Sequence, residues 1–316
     1  MRINTTLLGW VGVVLAALLA FFCTDYRLFQ LTLMVAYAIA ILGLNIVTGF
    51  NGQISLGHGA FYAIGAYVSA ILMDKFDVPY WATLPPSALV CGVVGFLIGL
   101  PALRLAGLYL ALTTFALAVA IPQLLKHPVL EHWTGGVQGI VISKPTPPFG
   151  LPLSEDQWLY LFSLGVGVVI FVLVRNLLRG RIGRAMIAIR EQPLAAEAMG
   201  IDLATLKTAT FATSALVTGL AGSLGAIAIQ FVAPDSFTVF LSIFLFVGLV
   251  VGGVASIAGA IPGAAFIVFI PNVADQISKA APSAVYGVLL IALLYVMPTG
   301  VAGFLRAVTN RLFAKT

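Results

Sequence analysis

The polar residues best placed to do chemistry fall in one short run, Asn51-Gly52-Gln53-Ile54-Ser55-Leu56-Gly57-His58-Gly59. Ser55 and His58 are three positions apart, a spacing that on a helix would set a hydroxyl beside an imidazole. That is the beginning of a nucleophile and its base, but a serine-hydrolase G-x-S-x-G elbow is missing and no oxyanion donors can be named. A proton-carrying role for His58 would call for an acidic partner, and none is nearby in sequence; packing or hydrogen bonding is the plainer use. The run reads in two ways. Non-helical backbone within a membrane is tolerated only where protein or a water-filled path covers it, which makes Asn51, Gln53, Ser55, Gly57, His58 and Gly59 candidates to border a translocation path. A short hairpin between two spans, with glycines for tight packing, would use the same residues.

Two further segments stand out. Residues 252–260 (Gly252-Gly253-Val254-Ala255-Ser256-Ile257-Ala258-Gly259-Ala260) repeat the G-x-x-S spacing of Gly52 to Ser55, which adds Ser256 to the path candidates. Residues 180–201 begin basic (Arg181, Arg184, Arg190) and turn Ala-rich before Gly200. Pro193 suits a first helical turn and Gly200 a stop. A short amphiphilic helix of this kind can dock into a groove on a soluble partner, with small residues Ala195, Ala196 and Ala198 permitting close approach and Arg190 and Glu191 pairing at the rim. A loop that only fixes topology would need the basic half alone.

Absences narrow the chemistry. Without G-x-x-x-x-G-K-[ST] the chain has no nucleotide site of its own. Neither H-E-x-x-H nor a Cys/His ligand cluster occurs, so no metal or other cofactor is expected on this chain. No acidic residue sits clearly inside an apolar stretch, as a proton- or sodium-driven carrier usually requires.

The elements that must position these segments follow from composition. Of 316 residues, 61% are hydrophobic and 9% charged, with mean hydropathy +1.09. A soluble domain carries roughly 25% charged residues, so lipid must solvate most of this surface. The net charge of +5 comes without a basic block interleaved with aromatics, which argues against nucleic acid as a partner. Cys91 is a small packing residue in an apolar run. Cys23 follows Phe21 and Phe22 rather than a small-residue cleavage site, so residues 1–24 are expected to be a retained first span.

Spans need about 20 apolar residues. Uncharged stretches cover 3–24, 28–73, 78–103, 105–125, 157–174, 208–234, 236–274 and 280–305, with 28–73 and 236–274 long enough for two passes each. The natural breaks are Gly49 to Gln53 and Gly252-Gly253 or Gly259. About ten transmembrane helices result, in an all-α polytopic protein forming a single domain over 1–316. With the N-terminus inside, alternation puts Arg2, Arg104, Arg175, Arg179, Arg181, Arg184, Arg190, Lys207, Arg306, Arg311 and Lys315 inside, and Arg27, Lys75, Lys126, Lys144 and Lys279 outside, which accounts for all 16 basic residues. That excess inside supports cytoplasmic N- and C-termini. The Pro- and Gly-rich loop 126–156 is then external and the loop 175–207 cytoplasmic. Spans around the two G-x-x-S segments run in opposite senses, as in inverted repeats.

At these same segments the chain resembles the branched-chain amino-acid ABC permease family, its LivM-type subunits in particular. The matching pieces run from Asn45-Ile46-Val47-Thr48-Gly49-Phe50 through Gly59, then Thr134-Gly135-Gly136 with Gly139-Ile140, then Gly183-Arg184-Ala185 through Ala188-Ile189-Arg190-Glu191 to Gly200-Ile201, and finally Gly252-Gly253 to Gly263. Their order and spacing fit from about residue 28 to 305. The resemblance implies a type II-like importer fold working with a second, LivH-like permease, two ATPase subunits that hold ATP and Mg, and a periplasmic solute-binding protein, in a bacterial inner membrane. It implies ATPase coupling through Gly183, Arg184, Ala188, Arg190, Glu191, Ala195, Ala196 and Gly200. Relatives of this kind handle branched-chain amino acids, urea and amides, or aromatic acids, and Gln138 stands where many have Asn. A secondary carrier or channel working without an ATPase is the competing class.

Overall fold

The computed structural model describes residues 5–313 apart from 104, 106, 151, 278 and 280, so Arg2, Arg104 and Lys315 lie outside the described residues. The chain is built from helices. α1 (Thr5–Phe22) and α2 (Asp25–Leu44) are followed by a π-helical turn, Asn45–Phe50. Next come α3 (His58–Phe76), α4 (Tyr80–Ala102), α5 (Leu108–Leu125) and the short α6 (Pro128–Thr134). α7 (Glu155–Arg179) leads into α8 (Arg181–Glu191) and α9 (Pro193–Ala198), and α10 (Leu203–Ile229) returns through the bundle. α11 (Val239–Gly252), α12 (Ala260–Ile277), α13 (Pro282–Val296) and α14 (Gly300–Phe313) complete the chain.

Six of the described helical segments are long and apolar enough to cross a membrane: Asp25–Phe50, Tyr80–Pro101, Leu108–Leu125, Glu155–Arg179, Leu203–Ile229 and Ala284–Ala307. This is a multi-pass helical membrane protein. The spans differ in how far the protein itself covers them: 78% of the most apolar stretch of α10 and 67% of that of the α2 segment are buried, against 28% in α5 and in α7.

α10 packs against α2, α3 and α4 and forms the centre. Its sequence explains the position. Without a hydrophobic drive between helices in lipid, small residues that let backbones touch decide who packs with whom. Gly65 of α3 rests directly on the carbonyl of Gly219, and Gly222 rests on that of Tyr62, so even a methyl group at either glycine would overlap backbone. Hydroxyls add a second fastening. Ser69 Oγ lies 3.0 Å from Thr83 Oγ1 and 2.8 Å from Ser87 Oγ, and is also bonded to Ser223 Oγ, joining α3, α4 and α10 inside the bundle. Interhelical bonds of this kind contribute about 0.6 kcal/mol each in a membrane.

α2 is 20 residues long, about 30 Å from Asp25 to Leu44, and separates two ends of the molecule. At the Asp25 end lies the loop 126–156. It holds α6 and a two-residue strand β1 (Ile140–Val141), paired antiparallel with β2 (Phe231–Val232) in the register Ile140↔Val232. Lys144 pairs with Asp156 at 2.7 Å and Lys126 with Asp235 at 2.5 Å, which fasten the loop to the start of α7 and to the turn Pro234–Phe237 before α11. Ser154 and Gln157 make a capping box at the start of α7. At the Asn45 end lie α8, α9 and the start of α10. The loops 126–156 and 175–207 therefore occupy opposite ends of the bundle.

The expected span over 280–305 is present as the apolar stretch Ala284–Ala307, but it is interrupted between α13 and α14. Pro298 bars Met297 from helical geometry, and Met297 leaves α13 at φ −126°, ψ 69°. Gly300 then opens α14, packed against the backbone of Gly253.

Candidate functional site

The three segments singled out in the sequence meet at the Asn45 end of the bundle. Their meeting point is the π-helical turn Asn45–Phe50. A π-turn carries one residue more than regular helix and often marks a functional position. Asn45 opens the turn, fully buried. Its Nδ2 donates to Ser256 O and its Oδ1 accepts from Ala255 N, both at 2.9 Å. A single side chain thus satisfies two main-chain groups of the other helix break, some 210 residues away. Ala255 needs such support because its φ is +59°, a left-handed conformation unfavourable for a residue with a Cβ.

The break after the turn, residues 51–57, is held by a dense set of bonds. Gln53 N donates to Val47 O at 3.0 Å, Thr48 Oγ1 donates to Gln53 O at 3.0 Å, and Gln53 Nε2 reaches Lys207 O at 3.5 Å. Leu56 N donates to Thr114 Oγ1 of α5, and Gly59 N to Ser242 Oγ of α11, each at 2.9 Å. Gly57 and Gly59 are contact points: a Cβ on Gly57 would lie 2.8 Å from Thr114 O, and one on Gly59 2.9 Å from Ser242 N. Asn51 is 2% exposed, and both polar atoms of its side chain lack a protein partner.

Ser55 and His58 do come together, at 3.0 Å between Oγ and Nδ1, but across the start of α3 rather than along it. His58 Nε2 is 2.6 Å from Ser214 Oγ of α10, whose hydroxyl donates to Gly43 O at 2.6 Å. The directions follow. Ser214 spends its proton on Gly43, so it accepts from Nε2–H. Both nitrogens of His58 are thus used, and the ring packs between Phe61 and Phe211. Ser55 is fully buried. The arrangement is a polar latch joining the break to α2 and α10; it exposes no nucleophile and offers no free nitrogen for proton transfer.

Ser256 lies at the second break, 4% exposed. Its Oγ takes a bond from Gly259 N and lies 3.3 Å from Arg306 Nη2 of α14.

The third segment is α8 and α9. α8 buries Gly183, Met186 and Ile189, three positions apart, against the bundle, and exposes Arg181, Arg184 and Arg190. Gly183 sits on the carbonyl of Leu178. Ala188 is half-buried. Gln192, at φ −150° and ψ 88°, separates the two helices. Pro193 occupies the first turn of α9, and Gly200, at φ +84°, ends it, with Ile201 N donating back to Ala196 O at 3.1 Å.

One side chain points otherwise than expected. Ala196 is 4% exposed and faces inward, while Ala195 and Ala198 face out, so the small residues do not form one outward face. A 3.6-residue repeat puts Ala195 and Ala198, three apart, on one side and turns Ala196 away from it. Arg190 keeps the expected rim pair only at long range, its Nε 3.9 Å from Glu191 Oε1, while its Nη1 donates to Gly49 O at 2.5 Å. The turn's carbonyl is the stronger call on that guanidinium than an exposed carboxylate in water. Leu194 of α9 and Met199 just after it, which sequence reasoning passed over, are exposed large apolar residues, at 81% and 84% exposure.

The start of α10 is capped by Asp202, whose carboxylate accepts from Thr205 Oγ1, Thr205 N and Ala204 N. These bonds, the hydroxyl of Thr205 first, hold its carboxyl below the usual range. Among the described residues no group of three His, Cys, Asp or Glu side chains could hold a metal ion.

Asn45, Ser214 and the Ser69 cluster were missed in the sequence. The available signal was a hydrogen-bonding side chain inside an otherwise apolar span, which in lipid needs a named partner.

Comparison with known proteins agrees with the pattern of these segments. The family described as "Branched-chain amino acid transport system / permease component" matches residues 26–297. The high-affinity branched-chain amino acid transport system permease protein LivM of Salmonella typhimurium is 38% identical over 249 residues, covering 71% of this chain. Its Escherichia coli counterpart gives the same figures. The chain spans 58% of the length of these two relatives. LivH of Salmonella typhimurium is 28% identical over 308 residues, which is 86% of this chain and 92% of that protein. No solved structure matches the chain. A family match over residues 26–297 takes in both helix breaks, α8, α9 and the packed centre, and the chain belongs to the branched-chain amino acid transport permease family.

Proposed function

We propose that the chain is one permease subunit of an ATP-driven ABC importer for branched-chain amino acids. The observation that carries this reading is the α8–α9 segment. It stands at one end of the bundle, anchored inward by Gly183, Met186, Ile189 and Ala196, and presents Leu194 and Met199 outward at 81% and 84% exposure. Two large apolar side chains on a short helix at the basic end of a membrane protein are suited to a groove on a soluble partner. In this reading that partner is one of two ATPase subunits, which bind ATP and Mg. The basic residues Arg175, Arg179, Arg181, Arg184 and Lys207 gather at the same end, which supports placing it in the cytoplasm. The loop 126–156 then faces the periplasm and a solute-binding protein, in a bacterial inner membrane with both termini cytoplasmic.

A second permease of the LivH kind would complete the path. Ten spans, α1 to α5, α7, and α10 to α13, fit this placement, in which the spans around the two G-x-x-S segments run in opposite senses as inverted repeats require. The substrate class rests on the names of the relatives, LivM and LivH, while the binding protein sets most of the selectivity.

The test is Leu194→Glu in the complete complex. A charge at the centre of an apolar contact costs about several kcal/mol, so the variant should insert normally, lose its ATPase subunits on purification and stop importing leucine. Retention of the ATPase with normal uptake would return α8–α9 to the status of a topology loop. Reporter fusions check the orientation independently: a fusion near Arg190 should report the cytoplasm and one near Lys144 the periplasm.

A further inference from the structure

We propose that Arg190 and Asn45 are positioning residues that form a two-jointed linkage, carrying movement of α8–α9 to both helix breaks together. The inference rests on the reading of α8–α9 as the ATPase contact. The first joint is Arg190, at the last turn of α8, beside the kink at Gln192 that separates α8 from α9. Its Nη1 donates to Gly49 O at 2.5 Å, and its stem lies across Gly52, where a Cβ would come within 3.0 Å of Arg190 Cγ. Arg190 thus touches the π-turn at Gly49 and the chain just beyond it at Gly52.

The second joint is Asn45, one helical turn before Gly49 in the same π-turn. It holds Ala255 N and Ser256 O of the second break by two bonds of 2.9 Å. Gly49 is the node between the joints. Its carbonyl takes Arg190, and the absence of a side chain lets Asn45 reach across: a Cβ there would overlap Asn45 Oδ1 and lie 2.7 Å from Ala255 N. The π-turn therefore cannot shift without moving the backbone at 255–256. Hydrogen bonds to main chain, rather than to side-chain tips, make the connection stiff, because both ends lie on segments whose rotation is already restricted. A pull on α8 reaches the first break through Gly49 and the second through Asn45, so the two breaks change together and not in sequence.

The prediction concerns coupling, not assembly. In the reconstituted complex of both permeases, ATPases and binding protein, Arg190→Gln and Arg190→Lys should keep the ATPase bound. Leucine imported per ATP hydrolysed should fall about tenfold, within the range of ordinary coupling energies. Asn45→Ala should show the same fall, and the double variant Arg190→Gln/Asn45→Ala no further one, because two joints in series fail as one. Should Asn45→Ala not assemble, the Arg190 variants carry the test, their side chain being partly exposed. Equal loss of hydrolysis and uptake, leaving the ratio unchanged, would overturn the linkage, as would additive losses in the double variant. Failure of the underlying reading shows separately, as an ATPase that remains bound to Leu194→Glu.

Discussion

The two helix breaks share a G-x-x-S spacing but solve the same physical problem by opposite means. Each exposes main-chain donors and acceptors where water is scarce. The first, residues 51–57, is richly provided: Thr48, Gln53, Ser55 and His58 come from its own stretch of chain, and Thr114, Ser214 and Ser242 from three neighbouring helices. The second, residues 253–259, has Ser256 as its one polar side chain and two residues in left-handed geometry, Gly253 at φ +114° and Ala255 at φ +59°. It borrows Asn45 for its backbone and packs Gly300 of α14 against Gly253. The first break is fastened by its own side chains and by three other helices; the second takes its side-chain partner for the backbone from the first. Equal spacing in sequence therefore says nothing about equal autonomy.

The sharpest way to break this asymmetry is Gly49→Ala. The added methyl overlaps Asn45 Oδ1 and drives Asn45 away from the second break. Overpacking costs about 1–3 kcal/mol and each orphaned backbone group about 1–3 kcal/mol more. The thermal midpoint of the purified protein should fall markedly, with amide exchange accelerating at 254–256 more than at 53–57. Acceleration confined to 53–57 would show that the second break stands by itself.

Ser214→Ala should act on the first break only. It removes the acceptor of His58 Nε2–H and a donor to Gly43 O, at a cost of about 1–3 kcal/mol for buried groups left unpaired. The midpoint should fall less than for Gly49→Ala, and exchange at 254–256 should stay at its native rate. Uptake insensitive to external pH in the native complex would agree with His58 as a latch, and a Ser214→Ala complex should keep that insensitivity.

The smallest effect belongs to Ser256→Ala. Both of its hydroxyl contacts are 3.3 Å long, near the limit of useful geometry, so the loss should stay under about 1 kcal/mol. A fall comparable to that of Gly49→Ala would mean that the second break relies on its own serine after all.

Much of the architecture was legible from residue order because lipid imposes strong rules. Apolar stretches such as 28–73 had to be helices, and Gly49 to Gln53 had to interrupt them, since polar backbone inside a span is visible against a uniform background. Pro193 and Gly200 bounded α9 through fixed dihedral preferences. The break at Met297 was also written in Pro298 but hidden by hydropathy, which averages across a proline. The two-residue β1–β2 pairing had no signal, because strands so short have no periodicity to read.

What the sequence by itself determined is therefore the helical membrane class, the location of both breaks and the segment bearing α8 and α9: each depends on local composition or on a residue's own dihedral limits. Tertiary structure alone decided where the hydrogen-bonding side chains went. Asn45 in an apolar span had to bond to something, yet only packing could choose Ala255 and Ser256, some 210 residues on. Arg190 had an exposed carboxylate next to it, and only the close passage of α8 over the π-turn turned it to Gly49 O. Ala196 points inward because α9 lies against the bundle on that side. Burial fixes that a polar group must be satisfied; which partner satisfies it depends on distance in space, which residue order does not contain.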